Sequence, residues 1–536
     1  MGAMRTMPAA AALAAAATVL LYAGGARLLA GEAGFPLDDS WIHQTVARNL
    51  ARHGEVILNP GAPVALTSSP LWTALLAPAY VLDVPPLAWT LGLGACSAAG
   101  LVAAMWALAR AAFPAQPWAA GVAAAAGVLD WRLLWAAAGG METTLFAALS
   151  TALLAATVAG WPAWVLGLCG GLAILARPEG ALLVALTAIY RAWTRLNVGP
   201  GMRAPVALGE LAQVIGLSAL LAAPVAVMNV HLSGSPLPAT AAAKSAAYAG
   251  QATLASSAVF IGSAALSLLS GPALFVLVGL FWWSLPRRLA DAEAGAQLRS
   301  ARDARLHPRS GLKLAANVLP LGGRFSVLRR GSRGINAPVA ILAAWPGLLI
   351  ALYAWRLPTL YHYGRYILPA LPCLIVLGAT GGERLWRRLP MRKLAGAYLG
   401  LALAGSLTLW AHGGWRFARD VRWIQDEQVA AARWVRDRTP PGAVIATHDI
   451  GAMAYFSGRR VIDTAGLADS GALPYLRDQA ALLRWARRRG ASYIAYFPDW
   501  YPALRASPHL ERVYVAARSH LADTGFADFE VYRVLP

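Results

Sequence analysis

The stretch Phe35-Pro36-Leu37-Asp38-Asp39-Ser40-Trp41-Ile42 follows directly on an apolar run over residues 8–30, and this junction decides how the 536-residue chain is read. An apolar run of ~20 residues is long enough to cross a bilayer as a helix. Two adjacent carboxylates then stand at the membrane boundary, where their mutual repulsion needs a reason. Beyond them Ile42, Val46 and Leu50 recur every four residues while Gln44, Arg48 and Arg52 line another face. Residues 40–53 are therefore expected to form an amphipathic helix lying along the membrane surface. A helix cap uses one Asp, worth about 0.5–2 kcal/mol, and the plain alternative is a cap with a solvated neighbour. The functional alternative makes one carboxylate a general base at the mouth of a cavity, with Asp38 the first candidate and Asp39 the second.

The rest of the chain supports a membrane setting. Apolar residues make up 58% and charged residues 13%, too much apolar surface for a soluble protein of this length to bury. Eleven apolar runs approach crossing length, at about 8–30, 86–110, 117–137, 142–160, 161–177, 181–194, 205–230, 253–285, 337–356, 365–381 and 394–411. The first is expected to be a retained signal anchor, because no clear cleavage site follows it. The run Ser69 to Leu82 supplies only about 14 residues, short of the ~20 a crossing needs, and reads as an interfacial or re-entrant helix.

Charge then orients the spans. The segment 286–336 carries eleven Lys/Arg against three acids, so it belongs on the cytoplasmic side. With that parity the cytoplasmic segments hold 21 Lys/Arg, and the formal net charge of +20 is mainly an orientation signal and a contact with anionic membrane lipid. No basic module interleaved with aromatics appears, which argues against nucleic-acid binding. Cys96, Cys169 and Cys373 lie in apolar stretches and support neither a disulfide framework nor a zinc site.

The outer face then comprises 31–85, several short turns, and everything after about 413. From there the composition turns polar and apolar runs shrink to strand length. The expected division is a transmembrane catalytic domain over 1–412 and a soluble extracytoplasmic α/β domain over 413–536. Helices are expected at Gln425 to Arg438, Gly451 to Phe456 and Leu482 to Arg489, with strands at 443–447, 460–463, 492–497 and 529–534. No phosphate-binding loop or dinucleotide fingerprint occurs there, and Gly92-Leu93-Gly94 falls inside a span, where it reads as packing. His448-Asp449 is expected to supply a loop hydrogen bond or a cap.

Polar residues at outer span ends carry the remaining signal: Glu142, Arg177, Glu179, Lys244 and Arg365. An ionised group near the bilayer centre costs about 2.5–3.5 kcal/mol, so such residues pair or line a wet cavity. Arg177, Lys244 and Arg365 can converge on a phosphate, or Arg177 can neutralise Glu179 or Glu142.

These residues fall in motifs. Asp38-Asp39-Ser40-Trp41-Ile42, Asn59-Pro60-Gly61, Thr67-Ser68-Ser69-Pro70-Leu71-Trp72, Gly140-Met141-Glu142-Thr143, Arg177-Pro178-Glu179-Gly180, Gly364-Arg365-Tyr366-Ile367-Leu368-Pro369 and Ile462-Asp463-Thr464-Ala465-Gly466-Leu467 follow in order. Together they resemble the GT-C class of polyprenyl-phosphate-sugar glycosyltransferases, most of all the terminal arabinofuranosyltransferases of cell-wall assembly. The likeness departs at His43-Gln44 and in the segment leading to Lys244.

The resemblance implies a polytopic α-helical membrane protein of about 11 transmembrane helices, resident in the inner (plasma) membrane, with its catalytic face outside. It implies transfer of arabinofuranose or another pentose or hexose from a polyprenyl-phosphate donor to an extracytoplasmic glycan, lipid or protein acceptor. Asp38 or Asp39 would deprotonate the acceptor for an inverting displacement. Arg177, Lys244 and Arg365 would hold the departing lipid phosphate, and His362 and Tyr363 would contact phosphate or sugar. Glu142 and Glu179 would order the cations or bind a divalent metal. The competing class is a transporter or flippase of lipid-linked sugars, against which stand the missing inverted repeats and the gathering of charges at one face. A third reading, compatible with transfer, is that the C-terminal domain only recruits partners or binds glycan.

Overall fold

A computed structural model describes residues 2–60, 62–63, 66–196, 204–247, 253–269, 337–388, 392–518 and 527–536. The basic segment 286–336, the second half of the 253–285 run and residues 197–203 of the 191–204 loop lie outside the described residues.

The chain opens with α1 (Gly2–Ala30), α2 (Asp38–His53), a short antiparallel pair β1 (Ile57–Asn59) and β2 (Ala62–Pro63), and the short helices α3 (Pro70–Leu76) and α4 (Pro78–Val81). There follow α5 (Pro86–Ala112), α6 (Pro117–Leu129), α7 (Trp131–Ala138), α8 (Thr143–Ala159), α9 (Ala163–Ala176), α10 (Gly180–Leu196), α11 (Ala204–Ser233), α12 (Ala239–Ala247) and α13 (Leu254–Leu269). The helical part closes with α14 (Ala337–Arg356), α15 (Leu371–Arg388) and α16 (Arg392–Ile424).

Among the described residues five helical segments are long and apolar enough to cross a membrane, and α6 with α7 adds a sixth if their 54° bend is one span. The protein is thus a multi-pass α-helical membrane protein, although the eleven apolar runs are not eleven full-length helices. The 117–137 run breaks because Asp130 ends α6 and accepts the first amides of α7, from Arg132 at 3.0 Å and Leu133 at 3.3 Å. The runs at 142–160 and 161–177 give only the shorter apolar helices α8 and α9. Helices pack through small residues, as membrane helices do. At Gly94 on α5 a Cβ would sit 2.0 Å from the Ala137 carbonyl oxygen, so the packing expected of Gly92-Leu93-Gly94 is borne by the second glycine.

The change of composition at residue 413 falls inside α16, which runs on to Ile424 and continues through a wide π turn, Gln425–Val429, into α17 (Ala430–Arg438). Beyond it come β3 (Val444–Thr447), α18 (Ile450–Phe456), β4 (Arg460–Asp463), α19 (Gln479–Arg488), β5 (Tyr493–Tyr496), β6 (Leu510–Val515) and β7 (Glu530–Val534). The sheet order is β4-β3-β5-β7-β6, parallel across β4, β3 and β5 and antiparallel across β5, β7 and β6. Side chains alternate across it with the period of two that a strand imposes. Ile445, Ala495 and Val531 enter one core, and Ala446, Ile494 and Tyr532 enter the other. The expected helices and strands of this region all form, and β6 joins them as a strand the sequence patterning missed.

The first of these two cores is shared with the N-terminal segment. Val46, Leu58 and Leu66 are buried in it beside Ile445, Met453 and Val461. Helix α2 therefore does not lie open along a membrane surface. Its apolar stripe, Ile42 and Val46, joins the core of the C-terminal domain, where α18 packs along α2, and α2 also contacts α3 and α4. An apolar stripe is satisfied equally by lipid or by a protein core, and here the core takes it.

Candidate active site

A cavity of about 380 Å3 lies between α2, the turn before α8, the end of α9, α12 and the end of α14. Six residues singled out from the sequence line it: Asp39, Glu142, Arg177, Glu179, Lys244 and Arg365. They arrive from distant parts of the chain, and each position follows from local structure. Asp39 is in the first turn of α2, Glu142 directly precedes α8, Arg177 closes α9, and Lys244 lies on α12.

Arg365 is presented by a turn in which His362, Tyr363 and Gly364 have φ of 44°, 60° and 76°. Left-handed backbone is unfavourable for a bulky side chain and persists only where surrounding contacts over-determine it. Those contacts are present. Tyr363 donates its hydroxyl to Asp420 at 2.9 Å, Trp135 Nε1 donates to the same carboxylate at 2.9 Å, and His362 stacks on the Trp135 ring. His362 and Tyr363, expected from the sequence to contact phosphate or sugar, are not among the residues that line the cavity. Their side chains are engaged in holding the turn that carries Arg365.

The two carboxylates of the acidic pair part company. Asp38 turns away from the cavity to the first turn of α18 in the soluble domain, accepting the Gly451 and Ala452 amides at 2.7 Å each. A Cβ on Gly451 would sit 2.0 Å from the Asp38 carbonyl oxygen, so this approach needs glycine. Burial, helped by the charge of Asp449, pushes the Asp38 carboxyl well above its usual range. Asp449, at the expected cap position, instead accepts Gln428 Nε2 at 3.0 Å. Asp39 opens into the cavity and pairs with Arg365 through Nη2. Burial alone would raise its carboxyl, but Arg365 and Lys244 outweigh burial and hold it below the usual carboxylate range. Of the two, Asp39 lines this cavity and Asp38 does not.

Arg177 spends its guanidinium within the wall. It donates to Glu142 at 2.8 Å, Glu179 at 3.1 Å and the Tyr353 hydroxyl at 3.1 Å. Glu142 also faces His43 Nε2 at 3.5 Å, and His43 in turn meets Thr73 Oγ1 at 3.3 Å. Burial alone would raise the Glu142 carboxyl, and the contacts with His43 and Arg177 bring it down to about 2. Both acids thus close on Arg177. Among the described residues no group of three or more His, Cys, Asp or Glu is arranged to hold a metal.

The opposite side of the cavity is organised by Tyr366, which sequence patterning quoted in a motif without assigning a role. Its hydroxyl accepts from Lys244 Nζ and Arg365 Nη2, both at 3.0 Å. Arg365, Lys244 and Arg177 approach its ring to 5.0, 5.1 and 5.2 Å from the centroid. Arg356 lines the cavity too, exposed, with its guanidinium 5.2 Å from the Trp355 ring centroid and no side-chain ion pair or hydrogen bond among the described residues. Arg365 is only 5% exposed, and its buried Nε and Nη1 have no hydrogen-bond partner among the described residues. A buried charged donor left unsatisfied costs several times what an ordinary hydrogen bond contributes.

The fold is that of the GT-C glycosyltransferases, as the motifs led us to expect. The crystal structure of the Archaeoglobus fulgidus oligosaccharyltransferase in complex with Zn and sulfate superposes with a TM-score of 0.55 at 12% identity, covering 95% of this chain and 73% of that one. ArnT from Cupriavidus metallidurans in the apo state gives a TM-score of 0.51 at 14% identity over 92% of both chains. The same protein bound to undecaprenyl phosphate gives 0.50 at 14% identity over 96% of this chain and 97% of its own. Residues 419–532 match a family described as a domain of unknown function, DUF8728. No curated protein matches the chain.

Proposed function

We propose that this chain is a membrane glycosyltransferase that moves a pentose or hexose from a polyprenyl-phosphate donor to an extracytoplasmic acceptor. The observation that carries the proposal is the cavity that gathers Asp39, Lys244 and Arg365 and leaves two buried guanidinium nitrogens of Arg365 unpaired. A donor phosphodiester entering beside Tyr366 would meet the charges of Arg365 and Lys244, with the exposed Arg356 completing an anion-binding wall.

Asp39 then faces the acceptor hydroxyl. Its oxygen accepts the hydroxyl proton as the acceptor oxygen attacks the anomeric carbon. The bond from that carbon to the phosphate oxygen breaks on the opposite face, the configuration inverts, and the polyprenyl phosphate leaves with the electron pair. While Arg365 is paired only to Asp39 it keeps that carboxylate a weak base. An incoming phosphate shares the guanidinium, and Asp39 regains basicity when substrate is present. The fold supports the class, and two of its neighbours were solved with dolichol-phosphate and with undecaprenyl phosphate.

The test is Asp39→Asn in the full-length protein, assayed with polyprenyl-phosphate-linked pentoses and hexoses. Transfer should fall about 10²–10⁴-fold, the usual weight of a general base, with binding of undecaprenyl phosphate retained. Undiminished transfer in that variant would remove Asp39 from the chemistry.

A further inference from the structure

A second cavity of about 300 Å3 lies at the seam where the soluble domain meets the membrane helices. Its walls come from the end of α11, the start of α12, β1, β4, the loop before residue 470 and the end of α19. Only single residues separate it from the first cavity. Leu467 faces the first and Ala468 the second, and Ala239 faces the second between Pro238 and Thr240, which face the first. Helix α12 thus supplies Ala239 to one chamber and Lys244 to the other.

These walls are pre-formed. The Asp463 carboxylate accepts the amides of Ala465 at 2.8 Å, Asp469 at 3.3 Å and Ala468, which pins the loop between the chambers. The Asn59 side chain bonds both the N–H and the C=O of Val461, each at 2.8 Å, tying β1 to β4. The space is lined by apolar side chains, Leu58, Leu232 and Ile462 among them, and by polar ones. Arg460 is exposed and has no ion pair or hydrogen bond among the described residues. Arg489 and Asp469 pair at 2.6 Å but stay 44% and 27% exposed, and Ser233 and Ser470 add hydroxyls. Guanidinium donors, a carboxylate acceptor and hydroxyls match the alternating donors and acceptors of a sugar ring, and the apolar wall residues suit the C–H faces of the same ring. The volume is at the lower end of ligand pockets, which run about 300–1,000 Å3.

We propose that the seam cavity is a carbohydrate subsite, which holds the acceptor glycan behind its reacting end while that end reaches Asp39 past Leu467 and Ala239. The acceptor is therefore a saccharide chain and not an isolated hydroxyl compound. This inference rests on the transferase function proposed for the first cavity, so the two need separate signals.

The experiment uses the full-length protein in nanodiscs with two probes. One is a panel of neutral and uronate-bearing oligosaccharides; the other is undecaprenyl phosphate, read by native mass spectrometry. The wild type should retain at least one oligosaccharide. The double variant Arg460→Gln, Arg489→Gln should weaken that binding about tenfold or more, the loss expected for charge-assisted bonds, with undecaprenyl phosphate binding unchanged. Ser470→Trp, which fills the chamber and leaves every charge in place, should do the same. No retained oligosaccharide, or equal retention by wild type and a folded variant, would overturn the subsite. A wild type that fails to bind undecaprenyl phosphate would overturn the transferase function, while the glycan arm still decides the subsite.

Discussion

The two sides of the first cavity carry similar charges and do different work. On one side Arg177 is saturated by Glu142, Glu179 and Tyr353, so its charge is consumed inside the wall. On the other, Lys244, Arg356 and Arg365 line the cavity with Asp39, which pairs with Arg365, and Arg365 keeps two donors unused among the described residues. Convergence of cations is therefore not enough to identify ligand contacts. What separates a structural cation from a binding one is whether its hydrogen-bonding capacity is already spent.

That contrast breaks if the two arginines respond alike to substitution. Arg177→Gln would leave two acids, 2% and 12% exposed, without their partner. Removing one member of a buried pair costs about 3–5 kcal/mol, so a lowered thermal midpoint should dominate. Arg365→Gln leaves Asp39, which is 37% exposed and can be solvated. Its stability cost should stay under ~1 kcal/mol, while kcat falls about 10²–10³-fold, as for loss of a group that stabilises the departing anion. Thermal unfolding and steady-state rates on both variants decide the matter, and equal destabilisation would erase the distinction between the sides.

The acidic pair sharpens the same point at smaller scale. Asp38→Asn keeps one acceptor for the α18 amides and loses the other, a cost of ~1 kcal/mol, with transfer changed far less than by Asp39→Asn. Asp38 and Glu142 give opposite pH signatures. Asp38 is raised in the folded state, so folding takes up a proton, and its contribution to stability declines as pH rises from the usual carboxylate range through its folded value. Glu142 is depressed to about 2 from 4.5, so its contribution is complete above about 4.5 and is lost as pH falls toward about 2. Unfolding free energies of wild type and Asp38→Asn across pH should diverge on the alkaline side, and parallel curves would contradict the assignment.

How much of this was legible follows from what each residue competes with. Apolar runs locate helices because nothing else explains such runs, but their length does not reveal that Asp130 breaks one of them. Glu142, Arg177, Glu179, Lys244 and Arg365 were legible because ionised groups in apolar surroundings must pair or line a wet space. The division of labour between Asp38 and Asp39 was not, since the deciding partners, Gly451 and Ala452, lie more than 400 positions away. Arg356 and Tyr366 escaped because a cation or a Tyr at a span end looks the same whether it anchors to the membrane interface or faces a cavity.

The smallest expected effect falls on Tyr366, and it asks whether the binding side is organised or merely charged. Tyr366→Phe keeps the ring that Arg365, Lys244 and Arg177 approach, and removes only the hydroxyl that Lys244 Nζ and Arg365 Nη2 both donate to. Each lost bond is worth about 0.5–1.5 kcal/mol. The two cations then lose the atom that spaces them but keep their charge and their seat over the ring. Donor binding should persist, because the charge remains, while kcat drops about tenfold, because the phosphate oxygens are met less well as charge develops on them. Arg177, paired elsewhere, should be untouched, so the thermal midpoint should move by less than in Arg177→Gln. If Tyr366→Phe instead raises KM with kcat unchanged, the hydroxyl contributes equally to ground and transition states, and the binding side works as a pool of positive charge with no fixed geometry.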